Sequence, residues 1–182
     1  MDCLVEEGYA NLTTRRVADR AGVSQGTQMH YFPTRADFLA EAIGHVSAEM
    51  MREVRDQIPP PASGARQRVE AVIDVLWKVH SGPIFAASME LWVAARTDPE
   101  LHESMAELNR KVNRMIMEGT NELFPDFYSR AGAREVLDLT LATMRGVAML
   151  QGSVGPEDVE RTWRGIRKKL LELHMTLEGK KA

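Results

Sequence analysis

Between Thr13 and Arg35 the residue types suit contact with a nucleic-acid duplex. The cations Arg15, Arg16, Arg20 and Arg35 stand against a single anion, Asp19, so this stretch is basic within a chain of net charge -3. Guanidinium groups neutralise phosphates and release their counterions, and the effect is local, so an acidic chain can still carry a DNA-binding patch. His30 and Tyr31 add donors able to reach phosphate oxygens or base edges. Gly26 and Thr27 are small, which lets a helix backbone come close to another surface. The unpaired N–H groups at such a helix start suit a phosphate.

Elsewhere the residues point away from catalysis. No nucleophile–base pair, no Gly-rich phosphate loop and no His/Asp/Glu set at metal-ligand spacing stands out. No catalytic residue, metal or cofactor is therefore expected, and the chain reads as a non-enzyme. The single cysteine, Cys3, excludes an internal disulfide and a cysteine-based zinc site. His80 and His102 read as surface or helix-end histidines, and His45 and His174 carry no legible signal. Arg167, Lys168 and Lys169 read as a solvated helix face.

The basic stretch needs helices to hold it. Strand signals are absent and helical periodicity runs through nearly every window, so the expected fold is all-α with about nine helices. A first short helix is expected from Met1 to Glu7. Thr13 caps a second helix from Thr14 to Ala21, Gly22-Val23 turns the chain, and Ser24 caps a third that ends near Tyr31 before Pro33. Gly22 suits the positive φ that closes a helix. Thr34 caps a fourth helix, striped by Phe38, Leu39, Ala42, Ile43 and Val46, reaching about Asp56. Pro59-Pro60-Pro61 must be a connection. It divides the chain into a helix-turn-helix domain over 1–57, with its core at 13–32, and a second domain over 65–182. Later helices are expected at Arg66 to His80, Ile84 to Arg96, Pro99 to Leu123, Ala133 to Val154 and from Pro156 onward. Asp98 serves as N-cap of the third of these and Pro99 as its first residue.

With these elements in place, the N-terminal segment resembles the TetR family of transcriptional regulators. The resemblance rests on Gly8-Tyr9, Thr13-Thr14, Ala21-Gly22-Val23-Ser24, Gly26-Thr27 and His30-Tyr31-Phe32-Pro33, and covers about Leu4 to Val46. It implies that Thr14 and Arg15 open the supporting helix against the DNA backbone. Ser24 belongs to the DNA-binding set, Gln25, Gly26 and Thr27 sit at the entrance of the major groove, Met29, His30 and Tyr31 touch phosphates and bases, and Arg35 meets a phosphate. Gln28 departs from the family, where an apolar core residue is usual, and Met29 stands where Tyr is common. The first helix is shorter than family members carry, and the reading expects a chain truncated at its start.

The resemblance further implies an effector-binding and dimerising second domain. Phe85, Met89 and Trp92 share one helical face, and Trp77, Met115 and Met144 lie on neighbouring helices; together they are the expected lining of an apolar effector pocket. The last two helices carry apolar residues on more than one face, which suits a homodimeric four-helix bundle. The expected function is a cytoplasmic repressor on a palindromic double-stranded DNA operator, released by a small, mostly hydrophobic effector. No membrane partner is expected, because no apolar run is long enough. The alternative is a helical ligand-binding adaptor or enzyme that has lost DNA binding.

Overall fold

Thr13 and Gly22 set the limits of the first complete helix. The computed structural model describes residues 6, 13–24, 26, 30–32 and 34–179. Helix α1 spans Thr14–Ala21. The Thr13 hydroxyl accepts the Arg16 N–H at 3.3 Å, satisfying one of the orphan donors at the helix start. At the other end Gly22 adopts φ 68°, in the left-handed region. Its N–H donates to the Asp19 carbonyl, and the Val23 N–H donates to Ala18 at 3.1 Å, the paired bonds of a Schellman turn.

A Cβ added at Gly22 would meet nothing within 4 Å, so the penalty for a side chain there is conformational rather than steric. Gly22→Ala is expected to lose about 1–2 kcal/mol of stability in urea denaturation, and Gly22→Asn less. An alanine variant with an unchanged midpoint would contradict the turn described here.

Six longer helices follow: α2 (Arg35–Gln57), α3 (Ala65–His80), α4 (Pro83–Ala94), α5 (Pro99–Leu123), α6 (Ala133–Met149) and α7 (Pro156–Gly179). Glu6 and the residues Gly26, His30 and Tyr31 are also helical, so the helical pieces reach the expected nine. The fold is all-α, with no strand among the described residues. The rest of the expected first helix, including Leu4 and Val5, lies outside the described residues.

The caps sit where their chemistry requires. Thr34 accepts the Asp37 N–H at 3.1 Å, and the Asp98 carboxylate accepts the Leu101 N–H at 3.0 Å. The prolines after Ile58 lead into a 3₁₀ turn over Pro61–Ser63. Two helices stop earlier than their periodicity suggests. After α4, the N–H groups of Arg96 and Thr97 bond three residues back, to Val93 and Ala94, which tightens the end into a 3₁₀ turn. After α6, Leu150–Gly152 does the same.

The chain packs as two compact units. One comprises Met1–Met50 and Gly82–Met115, the other Met51–Ser81 and Ile116–Ala182. Each unit is therefore built from separated stretches of chain, whereas the division at the prolines follows chain order. In the first unit, Leu39 and Ile43 of α2 pack with Leu91 of α4 and with Leu101, Met105 and Leu108 of α5. The last three repeat at four and three residues, one face of a helix. In the second unit, Val69, Ile73 and Leu76 of α3 pack with Leu137, Leu141, Met144 and Val147 of α6 and with Trp163, Leu170 and Leu177 of α7. Trp77 stacks on Trp163 with ring centroids 4.2 Å apart. Arg167, expected to be solvated, is half-buried and bonds both carboxylate oxygens of Asp74, at 2.5 and 2.7 Å.

Candidate nucleic-acid interface and ligand cavity

Immediately after the Gly22 turn the chain turns its side chains outward. Ser24, Gly26, His30 and Tyr31 are all exposed. Tyr31 has 71% of its surface accessible. A Cβ on Gly26 would find only the Ser24 hydroxyl, 3.9 Å away, so the backbone there stands open to a close approach. His30 and Tyr31 meet edge to face at 5.3 Å. The next ring behaves differently: Phe32 is half-buried and sets its edge against Phe38 of α2 at 5.3 Å. The aromatic run thus anchors itself through Phe32 and leaves two polar-tipped rings outside.

Arg15 and Arg16 are exposed on α1. Thr14 and Arg35 open α1 and α2, and their side chains lie outside what is described, as do Gln25, Thr27 and Met29 altogether. Arg20 is engaged: its guanidinium grips both oxygens of Glu6, at 2.6 and 3.1 Å. That hydrogen bond and the charge behind it hold the Glu6 carboxyl below its usual range. Glu6 lies outside the 13–35 window, so a count of charges along that window leaves out the anion that pairs with Arg20.

A separate feature lies in the second unit. A cavity of about 60 Å³ opens between α3, α5 and α6. Val72, Ile73 and Leu76 form one wall, Ile116 and Leu123 another, and Phe124 and Phe127 close an end. Met51 and Val54 from the last turns of α2 complete the apolar lining. The Met51 methyl sits 3.1 Å from where a Cβ on Gly119 would stand, so the glycine makes room for it.

Three polar side chains line this apolar space, Thr120, Thr140 and His174, and the last two are partners of one another. The Thr140 hydroxyl lies 2.8 Å from the Val136 carbonyl and 2.9 Å from His174 Nε2. Its one proton goes to the carbonyl a turn back, so the ring nitrogen is the donor to the hydroxyl oxygen. The His174 ring also lies nearly parallel to Phe127, 6.3 Å away.

The six residues expected to line an effector pocket are divided between the two units. Met144 is fully buried in the core of the second unit. Trp77, in the same unit, borders a surface groove with Ser81, Gln151 and Glu160. The other four belong to the first unit. There Phe85 and Trp92 meet edge to face at 5.5 Å, Met89 is half-buried, and Met115 borders a groove beside Tyr31 and His45. None of the six lines the cavity between α3, α5 and α6.

Sequence reasoning missed Thr140 and His174, although a signal existed. His174 continues the buried stripe of α7, four residues after Leu170 and three before Leu177. Thr140 sits between Leu137 and Met144 on the buried stripe of α6. A polar residue on each of two facing stripes marks a paired interior site. His80 is buried at the last turn of α3, with Nδ1 2.7 Å from the Leu76 carbonyl, and His102 is exposed.

Burial holds the His174 imidazole down at about 4. Burial also lowers His80, against the opposing pull of its bond to Leu76. An unfolded histidine takes up its proton near pH 6.5. Above that pH neither state is protonated and nothing is lost. As pH falls from about 6.5 towards 4, the unfolded chain binds protons that the folded chain refuses, so stability falls. The His174 share is about 2 kcal/mol, allowing for solvent at the open edge of the ring. His174→Phe should therefore unfold with a flatter dependence on pH across this window, as read by thermal melts. An identical slope would contradict the buried neutral ring.

No group of three or more acidic, His or Cys residues able to hold a metal occurs among the described residues. None of the helices is long and apolar enough to cross a membrane, among the same residues.

Comparisons with known proteins agree with this geometry. Residues 1–42 match the model for bacterial regulatory proteins of the tetR family. An uncharacterised HTH-type transcriptional regulator of Mycobacterium tuberculosis is 33% identical over 106 residues, 58% of this chain, and the match spans about half (53%) of that protein's length. The HTH-type transcriptional regulator CymR of Pseudomonas putida is 28% identical over 172 residues, covering 93% of this chain and 82% of that protein. A crystal structure of a transcriptional regulator from Rhodococcus superposes with a TM-score of 0.69 at 25% identity, over 94% of this chain and 91% of the other. The exposed Arg15, His30 and Tyr31 all lie inside the matched N-terminal segment, which is similar to the tetR family of bacterial regulatory proteins.

Proposed function

We propose that this chain is a cytoplasmic DNA-binding repressor that works as a homodimer and leaves its operator when a small, mostly hydrophobic effector binds. The observation that carries the reading is the outward placement of His30 and Tyr31 straight after the Gly22 turn. Arg15, on the neighbouring helix, is exposed as a phosphate contact must be. Gln25, Thr27, Met29 and Arg35 complete the assigned contact surface by their place in the motif.

Dimerisation is supported by α6. Leu139 and Met149 are 52% and 58% exposed, and Ala142 and Gly146 lie between them on the same helical face. Large apolar ends around a small-residue centre let a second helix approach closely, and a second copy of α6 and α7 completes a four-helix bundle. Two reading segments then meet two half-sites about 34–36 Å apart on a palindrome. The apolar cavity of the second unit is the site we assign to the effector, with Trp77 and Met144 in the same core. Effector binding favours a dimer state that no longer matches the half-site spacing, and simultaneous contact is lost.

The test is capture of genomic fragments on the immobilised protein, followed by gel-shift titration of the enriched sites at several salt concentrations. The expected result is enrichment of palindromic sites whose affinity falls steeply with salt. No enrichment at low salt would overturn the proposal.

A further inference from the structure

The cavity walls carry more information than size and polarity alone. None of the residues lining it is Lys, Arg, Asp or Glu. Arg68 lies over the Phe124 ring, 4.6 Å from its centroid, and its guanidinium bonds the carbonyls of Pro59 and Leu123. An anion entering the cavity would lose its hydration and meet no cation among the lining residues. Desolvating a carboxylate without a partner is among the largest penalties a site can impose.

The polar end has a fixed sense. Thr140 spends its proton on Val136 and one of its two lone pairs on His174 Nε2, so what it has left can only accept. On the histidine the second ring nitrogen, Nδ1, is likewise a lone pair on a neutral imidazole. A ligand gains from it by donating a hydrogen bond, not by accepting one. Burial keeps the ring neutral at ordinary pH, which agrees with this sense.

We propose that this cavity takes an uncharged, predominantly apolar molecule bearing one hydrogen-bond donor, such as an alcohol or phenol, with the donor set against His174, and that it rejects carboxylates. The proposal rests on the cavity being the effector site, and it narrows the effector's chemistry. At about 60 Å³ the space is well below the roughly 150 Å³ of an apolar cavity that admits benzene. A larger body enters by moving Met51, whose unbranched side chain lies over Gly119 and repacks more readily than branched neighbours.

Three compounds sharing one ring test the idea: benzyl alcohol, toluene and benzoate. Binding to the full chain is measured by calorimetry at neutral pH, with the His174 ring resonances followed by NMR. Benzyl alcohol is expected to bind about threefold to tenfold tighter than toluene, the worth of one net hydrogen bond, and to shift the His174 resonances. Benzoate is expected to bind more weakly than both. In His174→Phe the advantage of benzyl alcohol over toluene disappears. In His174→Gln, whose amide both donates to Thr140 and accepts from the ligand, the advantage returns. Benzoate binding as tightly as benzyl alcohol, an advantage that survives His174→Phe, or no binding by any of the three would each overturn the proposal. The order measured on the unaltered chain decides the matter even if a variant fails to fold. Gel shifts with the same compounds separate the two readings. The expected order of binding with no effect on DNA leaves the ligand class standing and removes the effector role. Release from DNA by benzoate but not by benzyl alcohol keeps the effector role and removes the ligand class.

Discussion

Alanine in place of Trp163 is expected to cost the second unit about 3–5 kcal/mol of stability. The indole is 4% exposed, in the first third of α7, and contributes to the same core as Leu137, Leu141 and Ile73. Its removal deletes one of the largest apolar surfaces in that unit and leaves a void that helices locked by neighbouring side chains cannot fully close. The parallel stack on Trp77 adds about 0.5–1.5 kcal/mol beyond area alone. Trp77→Ala should cost less, because that ring is only half-buried. The double variant should then lose less than the two single losses combined, because the stack can be broken only once. Urea denaturation is the measurement. Trp92 lies in the first unit, so Trp92→Phe confines the tryptophan signal to the second. A loss below about 1 kcal/mol would contradict a packed Trp163.

Tyr31→Ala and Arg15→Ala are expected to leave stability nearly unchanged and to weaken operator binding roughly 10- to 100-fold. Both side chains are exposed, so little folding energy depends on them. A change in one chain appears twice in a symmetric dimer, once at each half-site, and the losses compound. Arg15→Ala should also reduce the slope of log affinity against log salt by about two, one phosphate contact per head. Tyr31→Ala should change the slope less and relax the choice of sequence more, because its ring and hydroxyl reach bases as well as phosphates. Gel shifts across a salt series measure both. Unchanged affinity in both variants would place the DNA surface elsewhere or remove it.

What was legible in the sequence was local chemistry. Thr13, Thr34 and Asp98 are residues whose side chains satisfy helix starts, and each accepts the backbone N–H its position calls for. Gly22 takes the one backbone conformation that excludes most side chains. Prolines at 59–61 stop a helix wherever the rest of the chain goes. The ends of α4 and α6 were less legible, because a last turn tightens into a 3₁₀ bend without a distinctive residue to announce it.

The cavity was not legible because it is a property of which stripes meet. Periodicity shows that Ile73, Thr140 and His174 lie on buried faces but not that those faces converge. The aromatic and methionine residues singled out as a pocket were read by type, and type alone does not distinguish a ring packed in a core from a ring lining a space. The ion pair of Arg20 with Glu6 escaped for a related reason: it joins residues fourteen apart in sequence.

The first compact unit cannot be finished in the order in which it is made. Leu39 and Ile43 emerge from the ribosome early, while Leu91, Leu101 and Leu108, which cover them, are synthesised much later. Throughout that interval the nascent chain displays a greasy helical face with no native mate, the kind of surface that trigger factors and other holdases shield. The unit that carries Tyr31 is therefore completed late in translation, and a ribosome stalled at the proline run would release a sticky fragment.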